Sequence, residues 1–392
     1  MKGSIQMKLL SLFSGIGAFE KALQNINMNY DLVNYCEIDK FAARAYSIIH
    51  GVDPSLNLGD ITKVDEKALP KDIDLLTYGF PCQDISVCGT MRGLTDSAGN
   101  KTRSGLFFDA LRIIKETQPK IAIAENVKNL TSKGMKGVLD TVLTGLSDAG
   151  YTNCFRVLNA MNYGLPQNRE RVFIVSVRND IKKQVQFPPE VPLEHTMADY
   201  LEHDVDEKYF LSAEKTKYVI RHHEKHRQQI CDLPGDVCRT LLARDNSDPK
   251  VIKIAADLNK YKYESDNRIY STEGSVPTLR AHSSRPTMIE VASLNCNNFA
   301  SKDRIFSPEG ISPTLMTVSG GGNAVKIEDG VRYRYLTPRE YWRLIGFDDI
   351  DVDKLLAAGI SKSQLYKMAG NSIAVPVLEA IFKQLKFDGF LG

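Results

Sequence analysis

The sequence predicts an open α/β sheet covered by helices on both faces, with a smaller β-rich region inserted late in the chain. Three observations carry this. Short, branched apolar runs alternate with helix-period segments through the first half of the chain. Several of those runs end abruptly at Gly or Pro, with polar side chains just beyond. Between about residues 189 and 330 the pattern changes to short β-branched runs separated by Gly and Pro turns, which read as hairpins.

The bulk numbers set broad bounds. A chain of 392 residues with 43% hydrophobic content can build one large or two ordinary domains. Fifty Lys and Arg against 48 Asp and Glu leave a net charge of +2, so whole-chain charge says little about nucleic acid. Seven cysteines, odd in number and without close pairs, fit a reducing compartment better than a disulfide framework. No run approaches a membrane span, and the start lacks the long apolar stretch of a signal peptide. Met7 is an alternative start, which would make Met1–Gln6 a dispensable leader. A soluble, intracellular protein is expected.

The first predicted strand is Lys8–Phe13, stopped by Ser14-Gly15-Ile16-Gly17 and followed by a helical pattern from Ala18 to about Leu23. Strand, glycine turn and helix open a nucleotide-binding unit, because glycines admit a ligand to the backbone N–H groups and the helix start favours an anion. The third glycine of the dinucleotide fingerprint is missing, so an ordinary turn is the alternative. A second strand, Asp31–Cys36, ends at Glu37, 20 residues after Gly17. An acidic side chain at that distance commonly accepts bonds from ribose hydroxyls. Asp60 is a candidate acceptor for an adenine amino group, or equally a solvated residue or helix cap.

Ile73–Tyr78 reads as a buried strand ended by Gly79-Phe80-Pro81-Cys82-Gln83. A thiol at the carboxyl edge of an open sheet is a candidate nucleophile, although most free cysteines are simply small buried hydrophobes. Residues 83–104, rich in Gly, Ser, Thr, Lys and Arg, read as a long binding loop or lid. In it, Arg92, Lys101 and Arg103 are candidates to touch phosphates, or are merely solvated. A helix is expected from about Leu106 to Glu116, then a short strand Ile121–Ala124 with Glu125-Asn126-Val127 at its end. Glu125 and Cys82 would face one edge of a parallel sheet, an acid/base pairing with a thiol. A helix near 137–149, a strand near 155–158 and a strand at 172–175 follow. Arg169 and Arg171 alternate at the entry to the last strand, which suits them to a phosphate or carbonyl oxygen, with surface ion pairs as the alternative.

Six blocks of this sequence, in order, resemble the DNA (cytosine-5) methyltransferases. They are Phe13–Gly17, Gly79–Gln83, Glu125–Val127, Gln167–Arg171, Arg334–Glu340 and Gly370–Ser372. The resemblance spans residues 13 to 372 but is only general between about 189 and 330. It implies a Rossmann-like S-adenosylmethionine-dependent methyltransferase sheet. Residues 1–188 would form the first part of the catalytic, cofactor-binding domain, 189–330 a target-recognition domain, and 331–392 a segment returning to the catalytic domain. It also implies a chemistry. Carbon 5 of cytosine is too weak a nucleophile until a thiolate, here Cys82, adds at carbon 6. Glu125 would bond ring N3 and the exocyclic amine and supply a proton, while Arg169 and Arg171 would help hold the ring oxygen and order the site. Phe13, Gly15, Gly17, Glu37, Asp60, Phe80, Asn371 and Ser372 would hold S-adenosyl-L-methionine. The target base would be flipped out of duplex DNA, with the 83–104 loop closing over it through Gln83, Ser86, Arg92 and Arg103.

The middle region carries 15 Lys or Arg against 10 Asp or Glu between residues 208 and 285. The helix-like run Lys215–Arg227 fits a phosphate-facing surface or a solvated helix face. His222, His223, His226 and Cys231 lack the paired spacing of a zinc motif, so no metal is expected. A weak repeat at an offset of 36 residues relates Arg268-Ile269-Tyr270…Pro277-Thr278-Leu279 to Arg304-Ile305-Phe306…Pro313-Thr314-Leu315. Arg239-Thr240-Leu241 is a fainter third copy. The repeats either only pack or aim loops at the major groove. By resemblance Ser301 and Thr314 would lie near the flipped base, and Arg244, Arg280 and Arg285 are candidate base readers. Helices are expected from Pro338 through Leu344, ended by Gly346, and over Val375–Leu385. The resemblance implies a monomer acting on double-stranded DNA in a prokaryotic or phage-type cytoplasm, with a cognate restriction endonuclease as a candidate partner.

Overall fold

The structure, a computed structural model, describes residues 6–81, 94, 102, 104–210, 254–257, 268–270, 290–293, 304–306, 308, 310–315, 326–329 and 332–391. Its frame is a six-stranded sheet of β1 (Met7–Leu12), β2 (Tyr30–Cys36), β3 (Leu75–Tyr78), β4 (Ile121–Val127), β5 (Tyr151–Asn159) and β6 (Glu170–Arg178), in the order β2-β1-β3-β4-β6-β5. The first four strands of that order run parallel, while β6 is antiparallel to β4 and β5 is antiparallel to β6.

The central strands are apolar on both faces, as parallel strands between helical layers must be. Leu9, Leu75, Ile121, Ile123, Phe173 and Val175 point to one core. Leu10, Leu76, Ala122, Ala124, Val172 and Ile174 point to the other. The second core is covered by α3 (Phe107–Thr117) and α4 (Lys136–Asp148). The first is covered by α1 (Ala18–Asn25) and α2 (Lys40–His50), and by the C-terminal helices α5 (Pro338–Arg343), α6 (Asp349–Ala357), α7 (Lys362–Asn371) and α8 (Val375–Phe387). Trp342, Leu378 and Phe382 therefore share a core with Leu9 and Phe19.

Sequence patterning placed most of these elements, with informative differences. β4 continues to Val127 because β6 pairs with it as far as Val127↔Arg171, so Glu125 and Asn126 lie within the strand rather than beyond it. β3 begins only at Leu75. Helices α2, α6 and α7 were not anticipated. Each starts at an acidic or hydroxyl N-cap, Asp39, Asp348 or Ser361. α5 opens with Pro338 at its first turn and a capping box between Thr337 and Glu340.

The 36-residue repeat has a structural counterpart. β7 (Ile254–Asp257) pairs antiparallel with β8 (Arg268–Tyr270), and β9 (Glu290–Ser293) pairs antiparallel with β10 (Arg304–Phe306). The partners Asp257↔Arg268, Ala256↔Ile269 and Ile254↔Tyr270 map one by one onto Ser293↔Arg304, Ala292↔Ile305 and Glu290↔Phe306, each with one register shift at the same place. β10 also pairs with β11 (Lys326–Asp329), which continues to β12 (Arg332–Tyr335). The basic run Lys215–Arg227, its histidines, Cys231 and the third repeat copy lie outside the described residues.

Candidate active site

The site is assembled at the carboxyl ends of β1–β4, where ligands bind in open α/β sheets. Three positive φ angles shape the turn after β1: Phe13 at 52°, Gly15 at 56° and Gly17 at 79°. Such a φ is costly for a bulky residue such as Phe13, and backbone strain of this kind clusters at ligand sites. A Cβ added at Gly15 would meet nothing within 4 Å, whereas one at Gly17 would lie 2.1 Å from His50 Nε2. His50 closes on the turn from the end of α2, its Nε2 3.0 Å from the Ile16 carbonyl oxygen. Burial lowers its pKa to about 4, so the ring is neutral and Nε2–H can donate.

Glu37 stands at the end of β2 and accepts from the amides of Gly15 at 2.8 Å and Asp39 at 2.7 Å. Burial raises its carboxyl pKa, and those two amides oppose the rise. Asn57 pins the Glu37 peptide from both sides, accepting from its N–H and donating to its carbonyl, both at 3.0 Å. Ile38, next in the chain, is 72% exposed, an apolar platform beside the carboxylate. Neither Asn57 nor Ile38 is visible as a site residue in sequence, since one is a loop polar residue and the other an ordinary aliphatic. Asp60 serves as the cap of a short helical turn, accepting from the Thr62 amide at 3.1 Å and hydroxyl at 2.8 Å.

Two strands along, β3 gives way to Gly79-Phe80-Pro81. The Phe80 ring is buried against Tyr78 and Phe107. Asn126 Nδ2 donates to the Phe80 carbonyl at 3.0 Å, and Ser104 Oγ donates to the Pro81 carbonyl at 2.7 Å. The chain leading to Cys82 is thus tied by two side chains. Glu125 lies alongside on β4, so that a Cβ at Gly79 would be 3.6 Å from Glu125 Oε2. Arg171 Nε sits 3.1 Å from Glu125 Oε1. Burial raises the Glu125 pKa, while the charges of Arg171 and then Arg169 oppose it. Arg169 is 3% exposed and donates from Nη1 to the Leu315 carbonyl and from Nη2 to those of Gly370 and Ser372. Asn371 is exposed and Ser372 is buried at the same place. Thr314 donates its hydroxyl to the Asn168 carbonyl at 2.6 Å. Cys82, Gln83, Ser86, Arg92, Lys101, Arg103, Arg244, Arg280, Arg285 and Ser301 lie outside the described residues.

These strand-end blocks match a family model, C-5 cytosine-specific DNA methylase, over residues 7–387. The chain belongs to that family. It is 34% identical to the orphan methyltransferase M.SPBetaI of Bacillus phage SPbeta, with 97% of each chain covered. It is 31% identical to the type II methyltransferase M.HhaI of Haemophilus parahaemolyticus, covering 96% of this chain and 93% of that one. In fold it is similar to the crystal structure of S. pombe Dnmt2 methyltransferase, with TM-score 0.59, 19% identity, and 97% and 99% of the two chains covered. The protein is a DNA (cytosine-5) methyltransferase whose methyl donor is S-adenosyl-L-methionine. The methyltransferase site fits that donor, because the open Gly15 turn, the fixed Glu37 carboxylate and the exposed Ile38 lie together at one sheet edge. Among the described residues no helix is long and apolar enough to cross a membrane, and no cluster of three or more His, Cys, Asp or Glu could hold a metal ion.

Proposed function

We propose that this methyltransferase works through a covalent Cys82–cytosine adduct on a base flipped out of duplex DNA. The observation that carries the reading is the desolvated Glu125 carboxyl beside Gly79, three residues before Cys82 and bridged to Arg171. The two described cysteines are unsuited to attack: burial pushes the Cys36 thiol up to about 12, and raises that of Cys154 as well.

The Cys82 thiolate adds to carbon 6 of the ring as Glu125 delivers a proton to N3. A carboxyl whose pKa is raised by burial holds that proton to higher pH than a free one. Arg171 holds Glu125 in line and reaches the ring oxygen, with Arg169 behind it. S-adenosylmethionine supplies the electrophilic methyl that carbon 5 then attacks. Loss of the carbon 5 proton, return of the N3 proton to Glu125 and cleavage of the carbon 6–sulfur bond restore the aromatic ring and the thiolate. Gly15 and Gly17 would keep the turn open to that donor, Glu37 would accept from its ribose hydroxyls, Ile38 and Asp60 would serve its adenine, and Phe13, Phe80, Asn371 and Ser372 would complete the pocket. Gln83, Ser86, Arg92 and Arg103 would contact the DNA. Ser301, Thr314, Arg244, Arg280 and Arg285 belong to the recognition region of residues 189–330, between catalytic parts 1–188 and 331–392. The enzyme acts as a monomer, alone or beside a cognate restriction endonuclease.

Duplex DNA carrying 5-fluorocytosine should trap the protein covalently, because carbon 5 then has no proton to lose. Cys82→Ala should abolish the adduct. A trapped Cys82→Ala protein would refute the assignment, and bisulfite sequencing of treated DNA would identify the target bases.

A further inference from the structure

The stretch from Pro166 to Arg171 makes more connections than the chemistry above requires. The Asn168 amide donates to the Ser312 carbonyl at 2.8 Å, and the Ser312 amide donates to the Pro166 carbonyl at 2.6 Å. Gln167 and Ser312 form a parallel bridge, and Thr314 adds its hydroxyl to the Asn168 carbonyl. The end of the second repeat copy, Ser312–Leu315, is thus docked on the stretch Pro166–Arg169 that leads into β6.

Arg169 joins this docked segment to a third part of the chain. Its Nη1 donates to the Leu315 carbonyl at 3.1 Å, at the end of the repeat. Its Nη2 donates to the carbonyls of Gly370 and Ser372, either side of Asn371. The planar fork of a guanidinium can serve acceptors on two sides at once, which a lysine ammonium cannot match in geometry. Arg171, two residues on, is the arginine whose side chain pairs with Glu125. The two arginines therefore divide their work.

We infer that Arg169 is a positioning residue that fixes the 312–315 segment and the Gly370–Ser372 segment against each other, so that the DNA-facing and cofactor-facing walls are ordered as one unit. This rests on the functional reading only in assigning those walls to DNA and cofactor. It makes Arg169 a contributor to both affinities, and leaves the ring contact to Arg171.

The test compares Arg169→Lys, Arg171→Lys and Thr314→Val. S-adenosylhomocysteine affinity is measured by calorimetry, and kcat and KM for DNA are measured on unmethylated phage λ DNA. Arg169→Lys should weaken S-adenosylhomocysteine about tenfold, as expected for losing a charge-assisted bond, and should also raise KM for DNA. Arg171→Lys should lower kcat with S-adenosylhomocysteine affinity unchanged. Thr314→Val, which touches no cofactor-facing residue, should weaken S-adenosylhomocysteine about twofold to threefold alone and add nothing to Arg169→Lys, the mark of coupled sites. A folded Arg169→Lys protein that binds S-adenosylhomocysteine as tightly as the parent, or loses only kcat, overturns the inference. The calorimetric arm needs no DNA, so failure to form the 5-fluorocytosine adduct would sink the functional reading while leaving this arm decisive.

Discussion

Glu37, just beyond β2, and Glu125, in the last part of β4, lie along one edge of the sheet, and both have carboxyl groups whose pKa is raised by burial. They are held in opposite ways. Glu37 is gripped by main-chain amides of Gly15 and Asp39, with Asn57 locking its own peptide. Those donors cannot rotate away. Glu125 is held by the side chain of Arg171, with the Arg169 charge behind. A carboxylate fixed by immobile donors is a good permanent acceptor for a ligand hydroxyl. One balanced between burial and a guanidinium can exchange a proton as its neighbour shifts. In the proposed mechanism the same residue type at one sheet edge is divided between binding and chemistry by the kind of donor that faces it.

Breaking the chemical side should have the largest effect. Glu125→Gln keeps the shape but cannot deliver a proton, so single-turnover methyl transfer should fall by roughly 10²–10⁴-fold, with S-adenosylhomocysteine binding preserved. The pH dependence follows in sign. Because the Glu125 pKa is raised, its protonated form persists above the usual carboxylate range and disappears as pH rises through the raised value. A Glu125-dependent limb in a kcat/KM profile should therefore decline toward high pH, and Glu125→Gln should remove it.

Breaking the binding side should be milder and should appear in KM. Glu37→Gln loses an acceptor for charge-assisted bonds worth about 1.5–3 kcal/mol, so calorimetry should show S-adenosylhomocysteine weakened by about 10- to 100-fold, with little change in kcat. The smallest effect sharpens the comparison at the turn that feeds Glu37. Gly15→Ala meets no atom and carries only the left-handed backbone cost of about 1–2 kcal/mol. Gly17→Ala adds the collision with His50 and Tyr46, so it should lose more cofactor affinity and more thermal stability than Gly15→Ala. Equal effects of the two alanines would remove His50 from the account of the turn.

Much of this frame was legible in sequence because its central strands β1, β3, β4 and β6 are largely buried on both faces. Runs such as Val172-Phe173-Ile174-Val175 have few other uses. The ends of the runs were legible for a related reason, since Gly79 and Pro81 stop a strand wherever they occur. Helix α2 escaped notice because three of its buried positions, Ala42, Ala45 and Ser47, are small or polar and dilute the periodic signal. The roles of Asn57 and Ser104 were hidden, and so was the partner of Asn126, because a polar side chain gives no hint in sequence of which main-chain group it meets. Arg169 was visible as a candidate but its partners were not, because Leu315 and Gly370 lie 146 and 201 positions away. Periodicity reports neighbours along an element. It is silent on bonds closed by the whole fold.

The matched hairpins β7–β8 and β9–β10 share a pairing register down to the position of the irregularity. The later copy is followed directly by Ser312–Leu315, the segment bonded to Pro166, Asn168 and Arg169, so a repeat that can serve as a free-standing unit is here also built into the wall of the site.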